Sequence, residues 1–208
     1  MKASKSTRRN LLTGFAAVAG GVFFLRRADA AEMTPRAAEG PFYPTPSMRM
    51  PDVDNDLVKV MGRVEEAGGE VITLRGRITD RNGAPRLGHR IEIWQCDLNG
   101  KYLHPGDGRN VVYDRGFQGF GHDITDEDGR YSFRTIKPGK YPGRTPHIHV
   151  KVLDGDTELL TTQFYAADEP ENKRDSLYRR LSDEQAECVS MFFVETNSGI
   201  ETEINLQV

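Results

Sequence analysis

The sequence predicts an all-β fold, an antiparallel β-sandwich with an extended N-terminal arm and little helix. Three observations carry this. Short runs of alternating apolar and polar residues recur along the chain, Asn-Gly and Asp-Gly turns separate them, and prolines crowd residues 31–70. Successive side chains of a strand point to opposite faces, so alternation marks a segment with one buried face. Asn-Gly and Asp-Gly supply the positive φ that tight hairpin turns need.

The elements follow in order. Within 31–70, Pro35, Pro41, Pro44, Pro46 and Pro51 exclude a long helix. Such an arm must be pinned, either on the body of the domain or on a neighbouring copy in a homo-oligomer. Residues 71–208 form the predicted sandwich domain. Its first strand, 71–78, ends in a turn at Asn82-Gly83, and 89–94 alternates cleanly, with Trp94 in the core and His89 exposed. Asp126 to Gly129 resembles part of a calcium loop but lacks the remaining ligand spacing, so it reads as a hairpin turn into 130–135. Strands at 146–152, 158–165 and 200–208 complete the sandwich, and only 171–188 reads as helix. Cys96 and Cys188 could pair in an oxidising compartment or stay as two buried thiols.

Residues 1–30 have the layout of a signal peptide of the twin-arginine type. Arg8-Arg9 precede an apolar stretch from Leu11 to Leu25, and Ala28-Asp29-Ala30 supplies a small-x-small cleavage site. Fifteen moderately apolar residues are short for a membrane span, so no stable span is expected after processing. The expected location is periplasmic or extracellular. Six Lys/Arg and one acid lie in this leader, which leaves 22 Lys/Arg against 30 Asp/Glu in the rest. No basic stripe or nucleic-acid motif remains, and no nucleic-acid partner is expected.

The most informative short feature is His147-Ile148-His149. In a strand these histidines share a face, so both imidazoles can reach one ion, while Ile148, Val150 and Val152 face the core. A Gly- and Pro-bounded turn delivers Tyr141 and Arg144 just before them, and Tyr102 lies further upstream.

The stretch Thr135-Ile-Lys-Pro-Gly-Lys-Tyr-Pro-Gly-Arg-Thr-Pro-His-Ile-His149 resembles the signature of intradiol ring-cleavage dioxygenases, of the protocatechuate 3,4-dioxygenase and catechol 1,2-dioxygenase type. Glu39-Gly-Pro-Phe-Tyr43, Leu74-Arg-Gly-Arg-Ile78, Ile93-Trp-Gln95 with Lys101-Tyr-Leu-His104, and Thr161-Thr-Gln-Phe-Tyr165 agree with that family in order. One departure shows. The family's longer segment between tyrosine and arginine is cut to Pro142-Gly143, which bears on substrate choice and hints at a more open pocket.

The resemblance implies a non-haem Fe3+ centre ligated by Tyr102, Tyr141, His147 and His149, with Tyr141 and His147 axial. It implies cleavage of a catechol between its two hydroxyl carbons with O2, giving a cis,cis-muconate-type diacid. Phenolates and neutral imidazoles together favour ferric iron, and tyrosinate is an unusual zinc ligand. Arg144, always charged and planar, is expected beside the ring to stabilise developing negative charge, with Tyr141 as the ligand the substrate displaces. Gln163 is expected to hold a substrate oxygen. Tyr43 either reaches the pocket mouth or packs the arm down. His104 could support the site from behind, and His122 serves a turn. Two other readings compete. A non-catalytic module binding carbohydrate or protein leaves two tyrosines and the histidine pair unexplained. A cupin-like ferrous or zinc site needs a further histidine or carboxylate, for which the sequence offers no convincing candidate.

Overall fold

The computed structural model describes residues 33–208; the predicted leader and its paired arginines lie outside the described residues. In chain order the strands are β1 (Val71–Thr79), β2 (Arg90–Trp94), β3 (Phe120–Ile124), β4 (Arg130–Ile136), β5 (His147–Asp154), β6 (Thr157–Ala166), β7 (Ser190–Met191), β8 (Val194–Thr196), β9 (Gly199–Glu203) and β10 (Leu206–Gln207). They form a β-sandwich of two five-stranded sheets. In the first, β1 pairs antiparallel with β4 on one side and parallel with β9 and β10 on the other, and β8 pairs with β9. The second runs β3-β2-β5-β6-β7.

The sheets are mixed, which corrects the purely antiparallel expectation. β9 and β10 return alongside β1 in the same direction, and β7 runs parallel to β6. The predicted last strand, 200–208, is also broken, between β9 and β10. There the Tyr131 hydroxyl donates to the Ile204 carbonyl at 2.7 Å, taking an acceptor that an unbroken ladder would use.

The core lies between the sheets. Ile91 and Ile93 of β2 and Ile148, Val150 and Val152 of β5 are fully buried against Leu74 and Phe133 of the first sheet. Burying each such aliphatic side chain is worth about 1.5–3 kcal/mol, so these alternate positions fix the register of β5. The opposite parity of the second sheet is buried as well. Its outer face carries Trp94, His147, His149 and Gln163, and the arm covers it. The Ala37 N–H donates to the Thr161 carbonyl at 2.9 Å, Thr162 Oγ1 donates to the Pro35 carbonyl at 2.7 Å, and Lys151 pairs with Glu39. The arm thus docks on its own domain, and Leu57, Val58 and Val60 join the core.

The segment read as one helix is three short pieces: 3-10 turns at Pro170–Arg174 and Tyr178–Arg180, then α1 (Asp183–Cys188), started by a Ser182–Gln185 capping box. The interruption has a cause. Asp175 is extended, and its carboxylate takes the amides of Leu177 and Tyr178, which competes with helical pairing. Cys96 and Cys188 are not joined in a disulfide, and the buried Cys96 thiol donates to the Gly139 carbonyl. His89 is not exposed as expected; only 8% of it meets solvent, and its Nδ1 lies 3.0 Å from the Leu87 carbonyl.

Candidate metal centre

Strand register builds the platform. Trp94, His149 and Gln163 are paired across β2, β5 and β6, and His147 pairs with Tyr165 in the next row. All share one face because each is an even number of residues from its neighbour on the same strand. The two imidazoles meet with their Nε2 atoms 3.1 Å apart. The Tyr141 hydroxyl is 3.3 Å from His147 Nε2, delivered by a tight turn whose Tyr141 bridges to Arg144. Tyr102 is 97% buried; its ring centroid lies 5.7 Å from that of Tyr141 and 6.1 Å from that of His149.

Tyr102 and Tyr141 come from distant loops, and Gly100 lets those loops touch. It has φ of +72°, and a Cβ there would sit 2.0 Å from the Lys140 carbonyl oxygen. The backbone N–H of Tyr102 donates to Asp107 at 2.9 Å, and Arg109 Nε donates to the same buried carboxylate at 2.8 Å. Burial pushes the Asp107 carboxyl up, but Arg109 and the Tyr102 amide outweigh it and leave it well below the ordinary range. The Arg109 guanidinium lies 5.1 Å from the centre of the Tyr141 ring.

Arg144 is aimed by three partners. Its Nε donates to Asp175 at 2.7 Å, Nη2 donates to Gln163 Oε1 at 2.6 Å, and Nη1 stands 3.3 Å from His147 Nε2. Burial works against the guanidinium charge, but Asp175 reverses the effect. His147 Nδ1 faces the Thr145 carbonyl at 2.6 Å, which leaves its Nε2 lone pair free for the shared point. Gln163 Oε1 accepts from Tyr165 as well as Arg144, and its Nε2 donates to the Ala38 carbonyl.

The electrostatics suit a cation. Burial, then the Arg144 charge, brings His147 down to about 4; burial, then His147 and Arg144, holds His149 well below its usual value. Both are neutral at pH 7, as metal ligation requires. Burial pushes both Tyr102 and Tyr141 above the usual phenol range, so without a bound cation both stay protonated. Among the described residues the buried Tyr102 hydroxyl has no hydrogen-bond partner, an arrangement that costs about 1–3 kcal/mol unless something else satisfies it. Among the described residues no cluster of three or more His, Cys, Asp or Glu could hold a metal. Any ion here therefore needs the tyrosine oxygens, and two phenols with two imidazoles fit a hard trivalent ion.

The structure thus gathers Tyr102, Tyr141, His147, His149, Arg144 and Gln163 but sets Tyr43 apart. Its ring packs edge-on against Trp94 at 4.9 Å, and its hydroxyl donates to Glu92 at 2.7 Å, which fastens the arm. His104 packs against Phe42, which stacks on Tyr102, while His122 Nδ1 meets the Val53 carbonyl. Sequence reasoning missed Asp107, Arg109, Tyr165 and Asp175. Asp107 had a signal, an acid in a Pro-Gly-Asp-Gly turn five residues after Tyr102; Asp175 had none.

A family model described as dioxygenase matches residues 38–186. The protocatechuate 3,4-dioxygenase beta chain of Burkholderia cepacia is 36% identical over 151 residues, 62% of this chain and 64% of that one. The catechol 1,2-dioxygenase of Candida albicans is 32% identical over 123 residues, 50% of this chain and 39% of that one. The chain therefore spans less than two thirds of the length of these relatives. Among solved structures, the dioxygenase domain of a dioxygenase–carbohydrate-binding fusion from Streptomyces sp. SirexAA-E superposes with a TM-score of 0.63 at 30% identity, covering 85% of this chain and 98% of that one. Catechol 1,2-dioxygenase from Acinetobacter sp. ADP1 gives 0.59 at 26% identity, covering 84% and 62%. This chain belongs to the dioxygenase family, alongside the protocatechuate 3,4- and catechol 1,2-dioxygenases it resembles.

Proposed function

We propose that the protein is a non-haem ferric dioxygenase that opens a catechol-type ring between its two hydroxyl carbons with O2, giving a cis,cis-muconate-type diacid. The observation that carries this is the convergence of the Nε2 atoms of His147 and His149 with the Tyr141 hydroxyl, beside a buried Tyr102 hydroxyl that meets the hydrogen-bond geometry with no group among the described residues. Tyr102, Tyr141, His147 and His149 would hold the iron. When bound, ferric iron supplies a Lewis acid that ionises phenols and draws electron density from a catechol ring.

The chain's own groups do the rest. Tyr141 is the more exposed phenol, next to exposed Pro142 and Gly143, so substrate reaches the centre from its side. Its oxygen would be placed to take one catechol proton, while Tyr102 is held in place by burial. Arg144 keeps its positive charge beside the ring and would stabilise negative charge on the bound substrate without exchanging protons. Gln163, held by Arg144, Tyr165 and Ala38, aims that guanidinium. The short Pro142-Gly143 link favours larger or varied catechols. The leader fits export by a route that carries folded proteins, and fractionation of cells checks it.

Oxygen uptake on a panel of catechol, protocatechuate, hydroxyquinol and chlorinated catechols tests the reading. Stoichiometric uptake with a ring-opened diacid supports it. A protein that binds iron but consumes no oxygen with any of them refutes it.

A further inference from the structure

We infer that Gly40 is a positioning residue for His149, its missing side chain leaving room for the imidazole edge while Trp94 sets the ring plane. The inference rests on the ligand role proposed for His149. The two histidines are oriented by different means. His147 has a ring nitrogen fixed on the Thr145 carbonyl at 2.6 Å, the usual way a ligating histidine is aimed. His149 Nδ1 is buried with no hydrogen-bond partner among the described residues. Its ring instead lies on the Trp94 indole, with centroids 4.8 Å apart and planes 10° from parallel. Stacking fixes a plane but permits sliding within it.

Gly40 leaves the imidazole edge its room. It has φ of +80°, and a Cβ there would lie 3.2 Å from His149 Cε1 and 3.9 Å from Nε2. With the imidazole held against Trp94, such a Cβ would push the Nε2 atom off the point it shares with His147. The arm cannot simply back away. Glu39 is paired with Lys151, two residues beyond His149 on β5, and Tyr43 is bonded to Glu92, two residues before Trp94 on β2. The arm is therefore fastened to both strands that carry the stacked pair.

The test compares Gly40→Ala with Gly62→Ala. Gly62 has nearly the same φ, +79°, but a Cβ there meets nothing within 4 Å, so it reproduces the backbone strain without the contact. Gly40→Asn is the second variant, because Asn tolerates positive φ best and keeps the Cβ. Ferric affinity is measured by competition with a chelator, alongside the visible spectrum and the melting temperature. Gly40→Ala and Gly40→Asn should lose about 10- to 100-fold in iron affinity and shift the visible band. Gly62→Ala should lower the melting temperature through backbone strain alone yet bind iron like the parent. Equal iron affinity and spectra in all variants overturn the inference. A parent protein that binds no ferric ion overturns the ligand reading itself, which is a distinguishable failure.

Discussion

Replacing Asp175 with Asn should unfasten Arg144 and unfold the protein at lower temperature. The Asp175 side chain is fully buried, and the Arg144 side chain is 17% exposed. One carboxylate oxygen accepts from Arg144 Nε at 2.7 Å and from the Thr145 N–H at 3.0 Å; the other accepts from the Leu177 and Tyr178 amides at 2.8 and 3.0 Å. An amide keeps one acceptor oxygen. Its NH2 then faces two donors, and each buried donor left unmet costs about 1–3 kcal/mol. Losing one partner of a buried ion pair costs about 3–5 kcal/mol, in the same range. At about 2–4 °C per kcal/mol for a chain of this length, the melting temperature should fall by roughly 6–20 °C. Ring cleavage should fall too, because the guanidinium loses its aim. Thermal unfolding followed by circular dichroism, with oxygen uptake at a permissive temperature, measures both. A variant that melts within about 2 °C of the parent and turns over normally would show that Asp175 does not hold Arg144 in place.

Other outcomes follow from the same geometry. Asp107 and Asp175 both have carboxyls held below their ordinary value despite burial, by Arg109 and the Tyr102 amide in one case and by backbone amides and Arg144 in the other. Their stabilisation is present above the unfolded carboxylate pKa and lost as pH falls through the lower folded value, so acid titration should melt the fold below about pH 4 and Asp175→Asn should blunt that limb. Tyr43→Phe removes the bond to Glu92 and should cost about 1–2 kcal/mol by denaturant titration; a raised KM would return Tyr43 to the substrate pocket. Ile148→Ala leaves both neighbouring histidines but opens the core behind them, and should cost about 2–5 kcal/mol in the same assay.

The parts of this molecule that depend on near neighbours were legible in the chain. Strand alternation placed Ile148, Val150 and Val152 in the core and the two histidines on the other face, as found. Arg144 could be found from its closeness to Tyr141 and His147. What escaped depends on contacts between remote segments. Asp175 lies 31 residues from Arg144, in a stretch whose own pattern reads as helix. The parallel return of β9 beside β1 has no local signature, because pairing direction is decided by the path of the whole chain. Gly40 belongs to a motif visible in sequence, yet its purpose appears only when the arm lies across His149.

Reconstitution shows whether one ferric ion is shared by the two phenols and two imidazoles. Purified protein is titrated with ferric iron while bound metal and visible absorption are recorded, for the parent and for Tyr102→Phe. One iron per chain is expected, with a coloured phenolate-to-iron band that is weakened and shifted in the variant. A protein that takes up no ferric iron, or whose ferric form is colourless and unchanged by Tyr102→Phe, would contradict it.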